Sequence, residues 1–482
     1  MHPILPGPLS RRAFLQRSAQ LAFTGVALPT ALNLAAIGEA AAFNASDYKA
    51  LVCVFLFGGN DYANTVVPYD STRYEQYRSA RADIALAHAD LLPLNPGNLA
   101  GGLRYALHPN MGGLAGLFNA GHAAVQLNVG PLVEPLTRAQ YEAETRRQPP
   151  KLFSHNDQQS CWQSSSPEGA TAGWGGRMGD LAQPTNAGNP LFTCISVTGN
   201  TVFLTGEEAL AYQVGSWGAV RINAVDRWAF GSDAVGKALS SIVRDTRRPH
   251  VLEGMYNGVT ARAITAEASI TAALTAYPDD EDHTQFAAIP NTNLGRQLRM
   301  VARLIAARNL LSTKRQVFFV SMGGFDTHGG LLQTHGDLMQ ELSEALTGFY
   351  QVTGDATVMG AGGVANQVTA FTASEFGRTL TSNGDGSDHG WGGHHLVVGG
   401  AVNGGQFYGK PPPVSVGDSD SAEDQWHVGQ GRLLPSTSVD QYAGTLARWF
   451  GVNDTELAGI LPHLSSFTVA NGYPPDLGFM TP

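Results

Sequence analysis

Cysteine is nearly absent, with three in 482 residues. No Cys-x-x-Cys or Cys-His spacing exists, so a thiolate zinc site has no support. An odd count leaves at least one thiol unpaired. Cys53 lies inside an apolar run and reads as a core thiol, whereas Cys161 and Cys194 fit either a bridge or two buried free thiols. A dinucleotide fingerprint and a haem motif are also missing, which sets redox enzymology behind other readings. Charge is sparse: Asp, Glu, Lys and Arg make up 15%, and the net charge is −10. A general nucleic-acid binder needs a clustered basic face, and this chain has none. Its doublets Arg146-Arg147, Arg247-Arg248 and Lys314-Arg315 are scattered and read as solvated charges.

What is abundant is glycine, at 57 residues, and apolar strand-like runs. The chain opens with LSRRAFLQRSA at 9–19, then a short apolar stretch broken by Pro29 and closed by GEAAAF. Charged start, apolar centre and small-residue end describe a secretory signal over 1–42. Arg11-Arg12 before Phe14-Leu15 suggests twin-arginine export, with the translocase as a transient partner. The mature chain would be periplasmic or secreted, without a stable membrane span.

Runs at 50–61, where the apolar part ends at Gly58-Gly59, and at 123–129, 191–197, 316–322, 368–374 and 395–402 are apolar without alternation, as strands covered on both faces require. Helical patterns lie between them. Leu294, Leu298, Val301 and Ile305 form one stripe, and Leu338, Leu342, Ala345 and Phe349 another. Ser438 and Gln441 stand at capping-box spacing, and Gly451 closes that helix. Strands alternating with helices predict a three-layer α/β sandwich with a largely parallel central sheet. Residues 43–482 form its domain, and the polar, helical stretch from about 200 to 290 is an inserted cap or subdomain.

Ligands in such sheets bind beyond the carboxyl ends of the strands. Those ends hold Asp61 in FGGND, Asp326 and His328 in MGGFDTH, and Glu375 and Arg378 in TASEFGRT. The segment SDHGWGGHH then supplies Asp388, His389, His394 and His395, its glycines read as a hinge. So many carboxylates on one rim raise each other's pKa unless a cation compensates. Mixed carboxylate and imidazole ligands suit zinc or manganese, with calcium open to a more carboxylate-rich set. His394 and His395 point to opposite faces if they begin a strand, so at most one of them is a ligand. Arg378 offers a guanidinium fork for phosphate or sulfate.

LVCVFLFGGNDYANTVVP, SMGGFDTHGG, TASEFGRTLTSNGDGSDHGWGGHHLVVGGAVNGG and TSVDQYAGTLARWFGV resemble the exported bacterial family known as domain of unknown function 1501. That family is placed in the alkaline-phosphatase-like superfamily, with phosphatases and sulfatases. The resemblance implies an alkaline-phosphatase-like fold with a helical insertion, a bimetal centre and a hydroxyl nucleophile. It implies that Asp61 ligates one metal and Asp326 with His328 the other. Glu375 and His389 or His394 would complete the set, and Ser154 in KLFSHNDQQ would be the nucleophile. Two departures stand out: His328 follows its aspartate by two positions instead of four, and Phe376 replaces an expected histidine. Either one metal is lost or His389 substitutes. The Cys-x-Pro-x-Arg signature of formylglycine sulfatases is absent. The expectation is thus an exported, metal-dependent hydrolase of small anionic esters; the alternative is a non-catalytic structural or surface-assembly relative.

Overall fold

The computed structural model describes residue 43 and residues 45–481, apart from 187, 227, 248, 249 and 281. The export signal expected over 1–42 lies outside the described residues. The first apolar run forms β1 (Lys49–Leu56), in which every residue after Lys49 is buried. Burying each Val or Leu of such a strand is worth about 2 kcal/mol. The sheet continues with β2 (Ala123–Gly130), β3 (Cys194–Ser196), β4 (Tyr212–Gly215), β5 (Gly218–Ala219), β6 (Arg315–Met322), β7 (Val368–Ala373), β8 (Gly393–Gly399), β9 (Phe407–Tyr408) and β10 (Thr437–Ser438). Its spatial order is β9-β2-β8-β7-β1-β6-β3-β4-β5, with β10 also paired to β2. The centre, from β7 through β1 and β6 to β3 and β4, is parallel. Strand β8 runs antiparallel to both β7 and β2, and β5 runs antiparallel to β4.

Helices cover both faces. They are α1 (Ser71–Arg81), α2 (Gly112–Asn119), α3 (His155–Ser164), α4 (Trp174–Ala182), α5 (Asp233–Arg244), α6 (Val251–Ala276), α7 (Asn293–Ala306), α8 (Leu331–Gly354) and α9 (Val439–Phe450). On one side Val52, Val54 and Leu56 share a core with Leu114 of α2, Leu298 of α7 and Met339 of α8. On the other, Phe371 of β7 meets Trp174 of α4 and Tyr442 of α9, and Trp162 of α3 meets Tyr442. This is the α/β sandwich that the alternating pattern predicts. The α9 capping box between Ser438 and Gln441 forms, and Gly451 ends the helix at φ 118°.

The stretch from 200 to 290 carries β4, β5 and the helices α5 and α6. Arg303 anchors the end of α6 by donating to the carbonyls of Tyr277 and Leu274 at 2.7 and 3.1 Å. All three cysteines are buried and unbonded, so the bridge between Cys161 and Cys194 does not form.

The topology sets the site. Parallel β7, β1 and β6 lie side by side, so their carboxyl ends open on one rim. Because β8 returns antiparallel, the connection 374–392 both leaves from and re-enters that rim.

Candidate metal centre

Strand β6 ends in Gly323-Gly324-Phe325-Asp326, which carries Asp326 over the rim. From β7 comes Glu375, fully buried. The 374–392 connection is a tight hairpin: Gly377 N–H donates to Trp391 O at 2.9 Å, and Thr379 N–H to Asp388 O at 2.8 Å. Its glycines serve close packing, not hinge motion. A Cβ at Gly390 would lie 2.7 Å from the Arg378 carbonyl carbon. The hairpin fixes His389 above the strand ends, and the first turn of α3 brings His155 to the same place.

Among the described residues, His155, Asp326 and His389 form a group whose ligand atoms all lie within 4.8 Å of one another. His155 Nδ1 faces Glu375 Oε1 at 2.8 Å. His389 Nδ1 faces the Phe153 carbonyl at 2.8 Å. His328 Nδ1 faces Asp388 Oδ1 at 3.0 Å. Each partner accepts, so each ring carries its proton on Nδ1 and turns an Nε2 lone pair inward. The Nε2 atoms of His328 and His389 are 3.1 Å apart, and each is 3.1 Å from Asp326 Oδ1. His155 Nε2 stands 3.6 Å from Asp326 Oδ2. Electron-rich atoms this close repel unless a proton or cation sits among them. Outer carboxylates and carbonyls that orient imidazoles in this way are the usual support of a metal-ligating histidine.

The electrostatics differ from ring to ring. The Glu375 hydrogen bond raises the His155 pKa, against the opposing effect of burial. Burial lowers that of His389, favouring the neutral ring. For Asp326, burial pushes up, but the hydrogen bond and charge of Arg378 outweigh it and hold the carboxyl below its ordinary value. Phe376, where the resemblance leads one to expect histidine, packs against the rings of His155 and His389 at centroid distances of 4.9 and 4.6 Å. It forms an apolar wall beside the cluster. Gly58, at φ 118°, lets β1 pass close: a Cβ there would meet the Asp326 nitrogen at 2.3 Å.

Several expected ligands are placed elsewhere. Asp61 is fully buried and caps a single helical turn, Tyr62–Thr65. Its Oδ1 accepts from Asn64 N–H at 2.9 Å, and its Oδ2 from Arg81 and Ser387 Oγ, both at 2.7 Å. Burial would raise its pKa, yet the Arg81 charge lowers it overall. Its counter-charge is therefore a guanidinium, and it does not join the cluster. Glu375 Oε1 takes donors from Gly58 N–H and Gln159 as well as His155, so it orients that ring and lies outside the three-residue group. His394 is buried in β8, accepts from Asn128 N–H through Nδ1 at 3.1 Å, and packs on Tyr62. Burial lowers its pKa to about 3. It belongs to the sheet interior, and His395 packs on the opposite side against Trp162.

Arg378 does not present a free fork. Its NH1 donates to Gly58 O at 3.0 Å and Asp326 Oδ1 at 2.7 Å, its NH2 donates to Ser387 O, and the side chain is fully buried. It clamps Asp326: buried and with four of its five N–H groups bonded inside the protein, it does not present a free fork to an ester. Ser154 stands at the N-cap of α3, and its hydroxyl donates to Asp157 Oδ2 at 3.0 Å. That position is a helix start, with no imidazole within hydrogen-bond reach among the described residues. His155 is the member of the cluster that sequence reasoning did not single out. Its only signal was its place one residue after Ser154, with Gln159 one turn further on the same face.

Sheet and site define an α/β protein with a histidine–aspartate cluster at the carboxyl ends of its central parallel strands. The chain belongs to the family described as protein of unknown function (DUF1501), whose profile matches residues 48–460. No curated protein matches it.

Proposed function

We propose that this is an exported, alkaline-phosphatase-like hydrolase that uses one divalent metal, most consistent with zinc, to cleave small phosphate or sulfate esters. The observation that carries the reading is the convergence of Nε2 lone pairs on Asp326, each ring locked by an acceptor behind it. Asp326, His155 and His389 are the ligands, and His328 borders them. When bound there, the metal supplies Lewis-acid polarisation of an ester oxygen and a more acidic water. The chain's own groups do the rest. Glu375 and the Phe153 carbonyl fix the ring orientations, Arg378 holds one oxygen of Asp326, and Phe376 limits water on one side. The first-turn N–H groups of α3 have no side-chain cap, which leaves the helix start open to an anion. The side chains of Asp326 and His328 are 45% and 47% exposed, so substrate and water reach the cluster from solvent. With Ser154 bonded to Asp157, water is the nucleophile this geometry favours.

A non-catalytic relative that keeps the fold is the second reading, and the commitment of Ser154 and Arg378 to internal bonds supports it. The experiment is elemental analysis of the protein recovered from the periplasm, followed by aryl phosphate and sulfate assays with added zinc or manganese. About one ion per chain is expected, and Asp326→Ala should weaken metal binding more than a hundredfold and abolish hydrolysis. A metal-free protein whose melting is unmoved by chelator would overturn the centre. Metal without hydrolysis would favour the second reading, and recovery only from the cytoplasm would sink the export assignment.

A further inference from the structure

Helix α6 carries one apolar stripe along its whole length. Leu252, Met255, Tyr256 and Val259 begin it at helical spacing, and Ala266, Ile270, Ala273 and Leu274 continue it on the same face. The second half is buried in the core shared with the sheet. The first half is not covered: Val251, Leu252, Met255, Tyr256 and Val259 are between 54% and 74% exposed. On its far side α6 packs on α5, where Asn257 donates to the carbonyls of Ile242 and Asp245. The hairpin end therefore stands clear of the body with its apolar face open. Exposed apolar surface of this extent marks an interaction site.

Charge identifies the occupant. From the start of α5, residues 233–262 contain Lys237, Arg244, Arg247, Arg248 and Arg262 against Asp233, Asp245 and Glu253, a net +2 in a chain of net −10, with Arg244 paired to Asp226. Arg247 has a 94% exposed side chain at the entry to α6. A second copy docking through the same tip would bring two positive ends together, which disfavours it. Apolar side chains beside a basic connection match the chemistry of an anionic lipid surface. We propose that the α5–α6 tip docks the protein on such a surface, with the apolar residues inserted among acyl chains and the arginines on headgroups. The proposal is independent of the metal centre.

Flotation of the purified protein with vesicles of phosphatidylglycerol and phosphatidylcholine in equal parts tests it. Binding is expected on these vesicles, weak on phosphatidylcholine alone, and reduced by salt. Leu252→Asp and Met255→Asp should each weaken binding roughly tenfold. Arg247→Glu should weaken it at least about fivefold. All three residues are exposed, so melting temperature should be unchanged, which separates lost docking from lost fold. No flotation of the parent protein would overturn the proposal, and so would equal flotation of Leu252→Asp. So too would a dimer in solution that Leu252→Asp dissociates, since the stripe would then serve a second copy.

Discussion

Adjacent strands β1 and β6 end almost alike, in Gly-Gly-Asn-Asp and Gly-Gly-Phe-Asp, yet their aspartates meet opposite fates. Asp61 turns inward, buried against Arg81, Ser387 and a helical turn. Asp326 turns outward, 45% exposed, among three imidazoles. The difference lies in what reaches each strand end from elsewhere. Helix α1 delivers a guanidinium under β1, whereas α3 and the 377–391 hairpin deliver histidines over β6. Both carboxylates take a buried guanidinium, Arg81 at Asp61 and Arg378 at Asp326; what differs is the imidazoles gathered around the exposed one.

Exchanging each aspartate breaks the comparison most directly. Asp61→Ala leaves the Arg81 guanidinium buried and unpaired, and should cost about 3–5 kcal/mol of stability. Asp326→Ala also deprives a buried guanidinium of its carboxylate, but it removes a half-exposed group and leaves Arg378 well bonded to Gly58 and Ser387, so it should cost less stability while losing metal. Denaturant melts and metal analysis on the two variants check this crossover. If Asp61→Ala stays stable but loses metal, the roles assigned here are reversed.

A subtler variant sharpens the division between holding an ion and aiming a ligand. Glu375→Gln keeps the shape but removes the charge behind His155. Metal affinity, measured by competition with a chelator, should fall about ten- to a hundredfold. Loss comparable to Asp326→Ala would make Glu375 a direct ligand. No change would mean that His155 does not bind the ion.

The sheet was legible because continuous apolar runs have one physical outcome when helices cover both faces. The α9 helix was legible from its capping pair and terminal glycine. Asp61 was not, because its partner Arg81 ends STRYEQYRSAR, a polar helix that reads as solvated although Arg81 itself is fully buried. Arg378 misled for the same reason: sequence shows a cation but not how many of its donors the backbone consumes. His155 became visible only once the fold carried α3 to the rim. The glycines of SDHGWGGHH suggested a hinge, whereas three-dimensional contact makes them places where chains touch. Arg247 looked like an ordinary surface charge until the open stripe of α6 appeared beside it.

Acid separates the two strand ends once more, with a smaller effect. Beneath Asp61 lies His335, fully buried, its Nε2 donating to Asn60 Oδ1 at 3.2 Å. Burial lowers its pKa to about 3 despite the attraction of Asp61. Unfolded, the same ring titrates near 6.5, so the unfolded chain binds the extra proton first as pH falls. Stability from the neutral ring is complete above pH about 6.5 and is lost progressively toward pH 3. At pH 5.5 the loss is on the order of 1 kcal/mol for this residue. His335→Gln keeps a donor of similar reach without a titrating group. It should flatten the fall of unfolding free energy between pH 7 and 5.5, read from denaturant melts, by on the order of 1 kcal/mol. His394 and His395, held near the same low value by burial, and His108, lowered by burial to about 4, add to the slope. An unchanged slope in His335→Gln would show that this ring is not neutral in the fold, and that the β1 end, like the β6 end, draws a positive charge to its aspartate.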